Sequence, residues 1–309
     1  MVKLEAPLVA APYRSHPVWP YLALAVMGVG WGGSFSLLRL ARLDGAPAIG
    51  IAFWEGFGAG ALLLLYMLAR RVAVPLDRAS LRFYLVSGFL GIGLPICFVT
   101  WAAAYLPVGI LTLTMVLVPI LTYGISIPLG VERYAPVRVA GIVAGLAGIA
   151  LVLLPETSLP EPRMTGFAAM AFASTVCYAI QNVYVARSTP AGMGALAMSM
   201  GTLLVGGAML IPIMLATDST LALLGSWGLQ QWAAMGMTLI NATCTIIFLR
   251  LILSAGPVFT SLTAYVMTLS GLLWGILLFD ERFSGWVWAA FALLFVGVGL
   301  VGVRRHRTS

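Results

Sequence analysis

Pro128-Leu129-Gly130-Val131-Glu132-Arg133 recurs as Leu277-Leu278-Phe279-Asp280-Glu281-Arg282, which sets Glu132-Arg133 and Glu281-Arg282 149 residues apart. Each copy closes a long apolar stretch and is followed by a second one rich in small residues. At the same offset, Gly148 in Ala144–Val152 (AGLAGIALV) falls on Gly297 in Leu293–Val301 (LLFVGVGLV). A duplicated unit that is almost wholly apolar predicts a membrane protein built from two structural repeats.

Composition agrees. Hydrophobic residues make up 61% of the 309 residues, charged residues only 9%, and the mean hydropathy is +1.03. A soluble domain carries roughly 25% charged residues, so a water-soluble fold is excluded. The net charge of +7 does not point to nucleic acid, because the basic residues gather at the ends of apolar runs, where they meet anionic lipid headgroups. Cys97, Cys177 and Cys244 sit inside apolar runs without sequence partners and read as small core residues, with neither a metal site nor a disulfide framework. His16 and His306 lie in the terminal tails, which excludes an intramembrane histidine relay.

Apolar runs between turn signals predict spans near 19–38, 47–69, 83–105, 108–129 and 137–155, then 165–187, 195–217, 231–253, 258–279 and 285–303. Runs this apolar are helices rather than alternating barrel strands. The fold class is therefore an all-α membrane protein of ten transmembrane helices in two five-helix repeats. Residues 1–18 form a leader, 19–155 the first repeat, 156–164 a linker, 165–303 the second repeat and 304–309 a tail. The leader resembles a signal peptide only loosely, and the first run is expected to remain as a span.

Orientation follows from counting. With the N-terminus cytoplasmic, thirteen of the seventeen Lys and Arg residues fall on the cytoplasmic side; Arg39, Arg42, Arg163 and Arg282 fall on the other. Both termini are expected inside, in a cell inner membrane. Five spans is an odd number, so the two repeats run in opposite senses. Glu132 and Glu281 then mark opposite faces, and they are the candidate gate residues.

At these residues a family resemblance emerges. Trp31-Gly32-Gly33-Ser34-Phe35 followed by Arg39 resembles the first-span motif of EamA-type proteins in the drug/metabolite transporter superfamily. Ala102–Pro119 (AAAYLPVGILTLTMVLVP) with Gly130-Val131-Glu132-Arg133 resembles that family's third-to-fifth-span signature, and the resemblance runs from Tyr21 to Val303. It implies ten helices in two inverted repeats around a central cavity for small metabolites. Two departures stand out. Thr268 occupies the place that offset matching to Pro119 assigns to a proline, so the helix break is expected to be one-sided or shifted to Pro257. In Ile51-Ala52-Phe53-Trp54-Glu55, Glu55 stands where many relatives carry Arg.

Glu55 is the acid well inside a span. An unpaired carboxylate there costs at least ~2.5 kcal/mol, so it is expected to be paired, protonated or facing a wet cavity. Folding the hairpin near Leu43 sets Glu55 level with Trp31. Arg39 is the expected charge partner, and proton coupling or cation binding is the functional alternative to a structural pair. Tyr178, Gln181 and Asn182 share one helical face at i, i+3 and i+4. Offset 147 matches Tyr178 with Trp31 and Gln181 with Ser34, so these two faces are candidate substrate contacts, with interhelical hydrogen bonding as the plainer reading. Asn241 leads a similar stripe with Thr238 and Thr245. Trp101, Tyr123, Tyr265 and Trp274 lie within spans and are candidate cavity walls, with a packed core as the alternative.

The function this supports is secondary active transport, with export of amino acids or related small organic metabolites by alternating access. Its substrate is a small molecule, its candidate coupling ion the proton, and its solvent the lipid bilayer. No cofactor, catalytic residue, metal or nucleic acid enters this reading, and the oligomeric state is left open. A facilitator or importer is the alternative within transport. A membrane-embedded enzyme would need a motif such as HExxH, GxSxG or paired intramembrane aspartates, none of which occurs, and a sensor is the remaining class.

Overall fold

The computed structural model describes residues 18–103, 115, 117–153, 165–223 and 226–279, with 289, 292, 293, 296, 297 and 300 beyond them. The elements are α1 (Trp19–Leu43), α2 (Ala48–Phe53, a π turn at Trp54–Gly58, and Ala59–Ala69) and α3 (Arg78–Gly88, a π turn at Phe89–Gly93, and Leu94–Ala103). They continue as α4 (Val118–Ser126), α5 (Pro136–Leu153), α6 (Thr165–Ser188) and α7 (Ala195–Ala208, then Ile211–Ala216). The series closes with α8 (Leu229–Ala255) and α9 (Pro257–Ser261 and Thr263–Phe279). No strand occurs among the described residues.

Six of these helices are long and apolar enough to cross a membrane: α1, α2, α3, α7, α8 and α9. Each described helix overlaps one of the expected spans. α3 begins earlier than its apolar run because Asp77 caps it, accepting hydrogen bonds from the amides of Ala79 (3.0 Å) and Ser80 (3.1 Å) and from the Ser80 hydroxyl. α4 begins at Val118, with Pro119 in its first turn, and Pro257 opens α9 directly after Gly256 at φ +93°. Pro212 likewise starts the second part of α7, where its missing N–H interrupts the ladder. The expected tenth span, 285–303, falls largely outside the described residues.

The chain is patterned for a lipid solvent. Leu65, Leu68, Leu85, Phe89, Leu239 and Leu253 point outward, while Ser87, Thr122, Gln181, Asn182, Thr202 and Asn241 are buried. Apolar side chains are stable in lipid as well, so small residues and interhelical hydrogen bonds add the specific contacts to an interior that is otherwise apolar.

Two glycine-lined contacts hold distant parts of the chain together. On α1, Gly28 and Gly32 lie against Val266 and Ser270 of α9, and the Ser270 hydroxyl donates to the Gly28 carbonyl. Trp274 of α9 caps this seam, its ring over Gly33 and its indole N–H donating to the Val29 carbonyl at 3.1 Å. On α7, Gly207 meets the backbone of Gly56 and Phe57 in the first π turn. Gly206 meets Gly88 and Ile92, beside and within the second. α7 is thereby seated between α2 and α3. Gly297 approaches Gly141 and Gly145 of α5, joining two of the Gly-rich stretches that the repeat matching aligned.

Loops at each end meet in agreement with alternating helix directions. Asp44, after α1, receives a hydrogen bond from Gln230 at the start of α8. At the other end, Arg250 lies 5.2 Å over the Trp19 ring, and Tyr21 meets Phe259 edge-on at 5.5 Å.

Three outcomes follow. A methyl at position 207 runs into backbone that cannot yield, so Gly207→Ala should destabilise the protein by roughly 1–3 kcal/mol, read as a lower thermal midpoint in detergent. Gly124→Ala, at an exposed helical site with open space around it, should leave the midpoint unchanged or raise it. Asp77 is held below the usual carboxylate range, chiefly by the Ser80 hydroxyl. A depressed folded value means that its stabilisation is full above the unfolded pKa and is lost as pH falls through the folded one. The deficit of Asp77→Ala should therefore be full at neutral pH and shrink as acid protonates the cap.

Candidate functional site

Trp31 is the middle residue of α1, and Asn241 lies beside the middle of α8. The Trp31 indole N–H donates to Asn241 Oδ1 at 3.1 Å, and the Thr245 hydroxyl donates to the same oxygen at 3.2 Å. Asn241 Nδ2 donates to the backbone carbonyl of Glu55 at 3.0 Å. One turn earlier on α8, Thr238 donates to the carbonyl of Trp54 at 3.0 Å and to that of Ala234 at 2.8 Å. The π turn widens the ladder of α2 here, and α8 side chains bond the carbonyls at its start. This chain of bonds fixes Glu55 at the depth of Trp31, as the hairpin register predicts.

The Glu55 side chain is half-buried. Tyr178, near the middle of α6 and half-buried as well, lies within electrostatic reach of it. Trp31, Glu55 and Asn241 are thus joined at mid-span from α1, α2 and α8, with Tyr178 of α6 nearby. Trp31 also meets Phe248 edge-on at 5.5 Å, and within α2 Phe53 stacks on Phe57 at 5.0 Å.

Other expected site residues go elsewhere. Gln181 seats its amide against Gly91 in the second π turn and donates to the Ser87 carbonyl at 3.3 Å; Thr202 bonds the Ser87 hydroxyl at 3.1 Å. Asn182 donates to Thr122 of α4 at 3.2 Å, and its Oδ1 is buried without a partner. The face shared with Tyr178 therefore divides, because Gln181 and Asn182 meet different neighbours. Ser34 is buried and its hydroxyl lacks a partner. Tyr265 is fully buried, its ring over Gly145 and its hydroxyl 3.4 Å from the Ile142 carbonyl. It is a core residue rather than an open wall. Tyr123 likewise ties a loop, accepting from the Ala135 amide at 2.7 Å. The side chain of Trp101 lies outside the described residues.

Among the described residues Glu55 takes part in no ion pair, and the expected pair with Arg39 is not formed. Arg39 lies eight residues beyond Trp31, about 12 Å along the helix, exposed and with contacts of its own. Glu132 pairs with Arg138, and its Oε1 lies over Gly256 at the α8–α9 turn, tying the α4–α5 loop to the start of α9. Its counterpart Glu281 lies outside the described residues. Ser87, Thr122 and Gly91 escaped the sequence reading. Ser87 sits between apolar residues and glycines, and only its partners reveal its use. An apolar hollow of about 340 Å³ between α3 and α7, lined by Phe89, Leu94, Cys97 and Met209 among others, involves none of the expected site residues.

These features define a multi-pass helical membrane protein with a polar, aromatic cluster at mid-depth. Residues 18–154 match the EamA-like transporter family, which bears out the resemblance carried by Trp31–Phe35. A solved structure titled "Crystal structure of protein" shares the fold, with a TM-score of 0.74 and 18% identity over 93% of this chain and 98% of its own. The curated proteins give no match.

A double-mutant cycle tests the clamp. Trp31→Phe and Asn241→Ala should show a coupling of about 0.6 kcal/mol, and at most about 1.7, in unfolding from detergent micelles. Asn241→Ala should cost more than Trp31→Phe, because it also strands the Glu55 carbonyl.

Proposed function

We propose that the protein is a secondary active transporter that exports amino acids or related small organic metabolites by alternating access. What supports this reading is one observation: at mid-span the Trp31–Asn241 clamp joins α1 and α8 to the carbonyl of the half-buried Glu55, with Tyr178 of α6 within electrostatic reach, so that both halves of the sequence contribute. A site near the bilayer midplane between two structural units is the arrangement alternating access needs. In this reading the chain forms ten helices in two inverted repeats, 19–155 and 165–303, with both termini cytoplasmic in a cell inner membrane. The family match over residues 18–154 supports the first of these units. Protons are the proposed coupling ion, carried by Glu55.

The ends of the bundle supply candidate gates. On the cytoplasmic side of the proposed topology, the ion pair to Arg138 orients Glu132, whose Oε1 lies against Gly256 of the α8–α9 turn. On the outer side, the Trp54 indole N–H donates to the Leu221 carbonyl at 2.9 Å, and Gly50 lies against the backbone of Ser219 and Leu221. Each contact closes one end over the central cluster, so opening must break one while the other persists.

Reconstitution into liposomes loaded with labelled amino acids and related metabolites tests the assignment. Flux that responds to an imposed pH gradient, and is abolished in folded Glu55→Arg, is expected; flux of no candidate under any gradient contradicts it. Glu132→Arg should slow transport, and the exchange Glu132→Arg with Arg138→Glu should restore part of the rate, because the contact depends on opposite charge.

A further inference from the structure

The groups around Glu55 specify the charge of what binds there. Asn241 is engaged by the protein itself, one Nδ2 hydrogen given to the Glu55 carbonyl and its Oδ1 shared by Trp31 and Thr245. The carboxylate of Glu55 has no countercharge among the described residues, and the hydroxyl of Tyr178 makes no hydrogen bond among them. Two rings lie near: Trp31 at the same depth, bonded to the amide that holds the Glu55 carbonyl, and Tyr178 within electrostatic reach.

A carboxylate held at membrane depth without a cation is costly, and a cationic ligand relieves that cost where an anionic one adds to it. Ring faces attract the same charge through their quadrupoles, and a charge-assisted hydrogen bond from an N–H donor to carboxylate is the strong kind. A zwitterion would also require a cation for its own carboxylate, and Arg39 stands two helical turns from the level of Trp31. We propose that the midplane site takes organic cations, protonated amines with an apolar or aromatic body, with Glu55 as counter-ion and Trp31 and Tyr178 as ring walls. This rests on the transport reading and, within it, favours amines over the zwitterionic amino acids.

The test uses the purified full chain, titrated with phenethylammonium, neutral phenethyl alcohol and zwitterionic phenylalanine, with calorimetry and tryptophan fluorescence as readouts. Phenethylammonium should bind saturably and about tenfold or more tighter than the alcohol. Glu55→Gln should remove that preference, and Glu55→Asp should keep part of it, with folding checked by size-exclusion chromatography. Wild-type protein that binds amine and alcohol equally, prefers the zwitterion or fails to bind the amine overturns the proposal, whether or not Glu55→Gln folds. An amine affinity unchanged in folded Glu55→Gln overturns it as well. Flux assays on the same preparations separate the two claims. Glu55-dependent amine binding without flux removes transport and keeps the cation site. Flux of another metabolite that survives Glu55→Gln removes the cation site and keeps transport.

Discussion

The structure depends on satisfying backbone carbonyls at the depth of lipid. Where α2 widens into its π turn, the carbonyls of Trp54 and Glu55 are bonded by Thr238 and Asn241 of α8. No water competes in hydrocarbon, so such groups must find partners within the protein. Asn241 does more than cap: by also receiving Trp31, it binds α1, α2 and α8 at one level. The depth of Glu55 and the orientation of the Trp31 ring both follow from that one amide.

A second π turn in α3 shows the same principle with a different outcome. There Gln181 fills the space over Gly91 and bonds the Ser87 carbonyl, so the turn is closed by a side chain from α6. Gly206 and Gly207 of α7 press toward both turns. One π turn is thus plugged, whereas the other carries a carboxylate toward the aromatic cluster.

Much of this was legible in the sequence because lipid imposes simple rules. Long apolar runs, Arg-rich ends and prolines at helix starts mark the helices without reference to tertiary contacts. The level of Glu55 with Trp31 followed from hairpin length alone. The π turns were not legible, since a single extra residue in the ladder leaves the apolar pattern of Ile51–Gly60 intact. Nor could periodicity reveal that Gln181 and Asn182 would serve different neighbours, because a shared face spans more than one interface. Tyr265 misled for a related reason: an aromatic inside a span looks the same in sequence whether it faces a cavity or fills the notch at Gly145. Arg39 and Glu55 were matched by charge, but the register set by Asn241 holds them at different depths.

The central claim is that a midplane site, assembled around Asn241 from both halves of the chain, opens alternately to the two sides. Side-specific labelling tests it most directly. Tyr178→Cys is introduced after replacing Cys97, Cys177 and Cys244, and sealed vesicles of known orientation are exposed to a membrane-impermeant maleimide from either face. Modification from both faces, slowed by saturating substrate, is the result this account predicts. Modification from one face alone, or from neither, would contradict it.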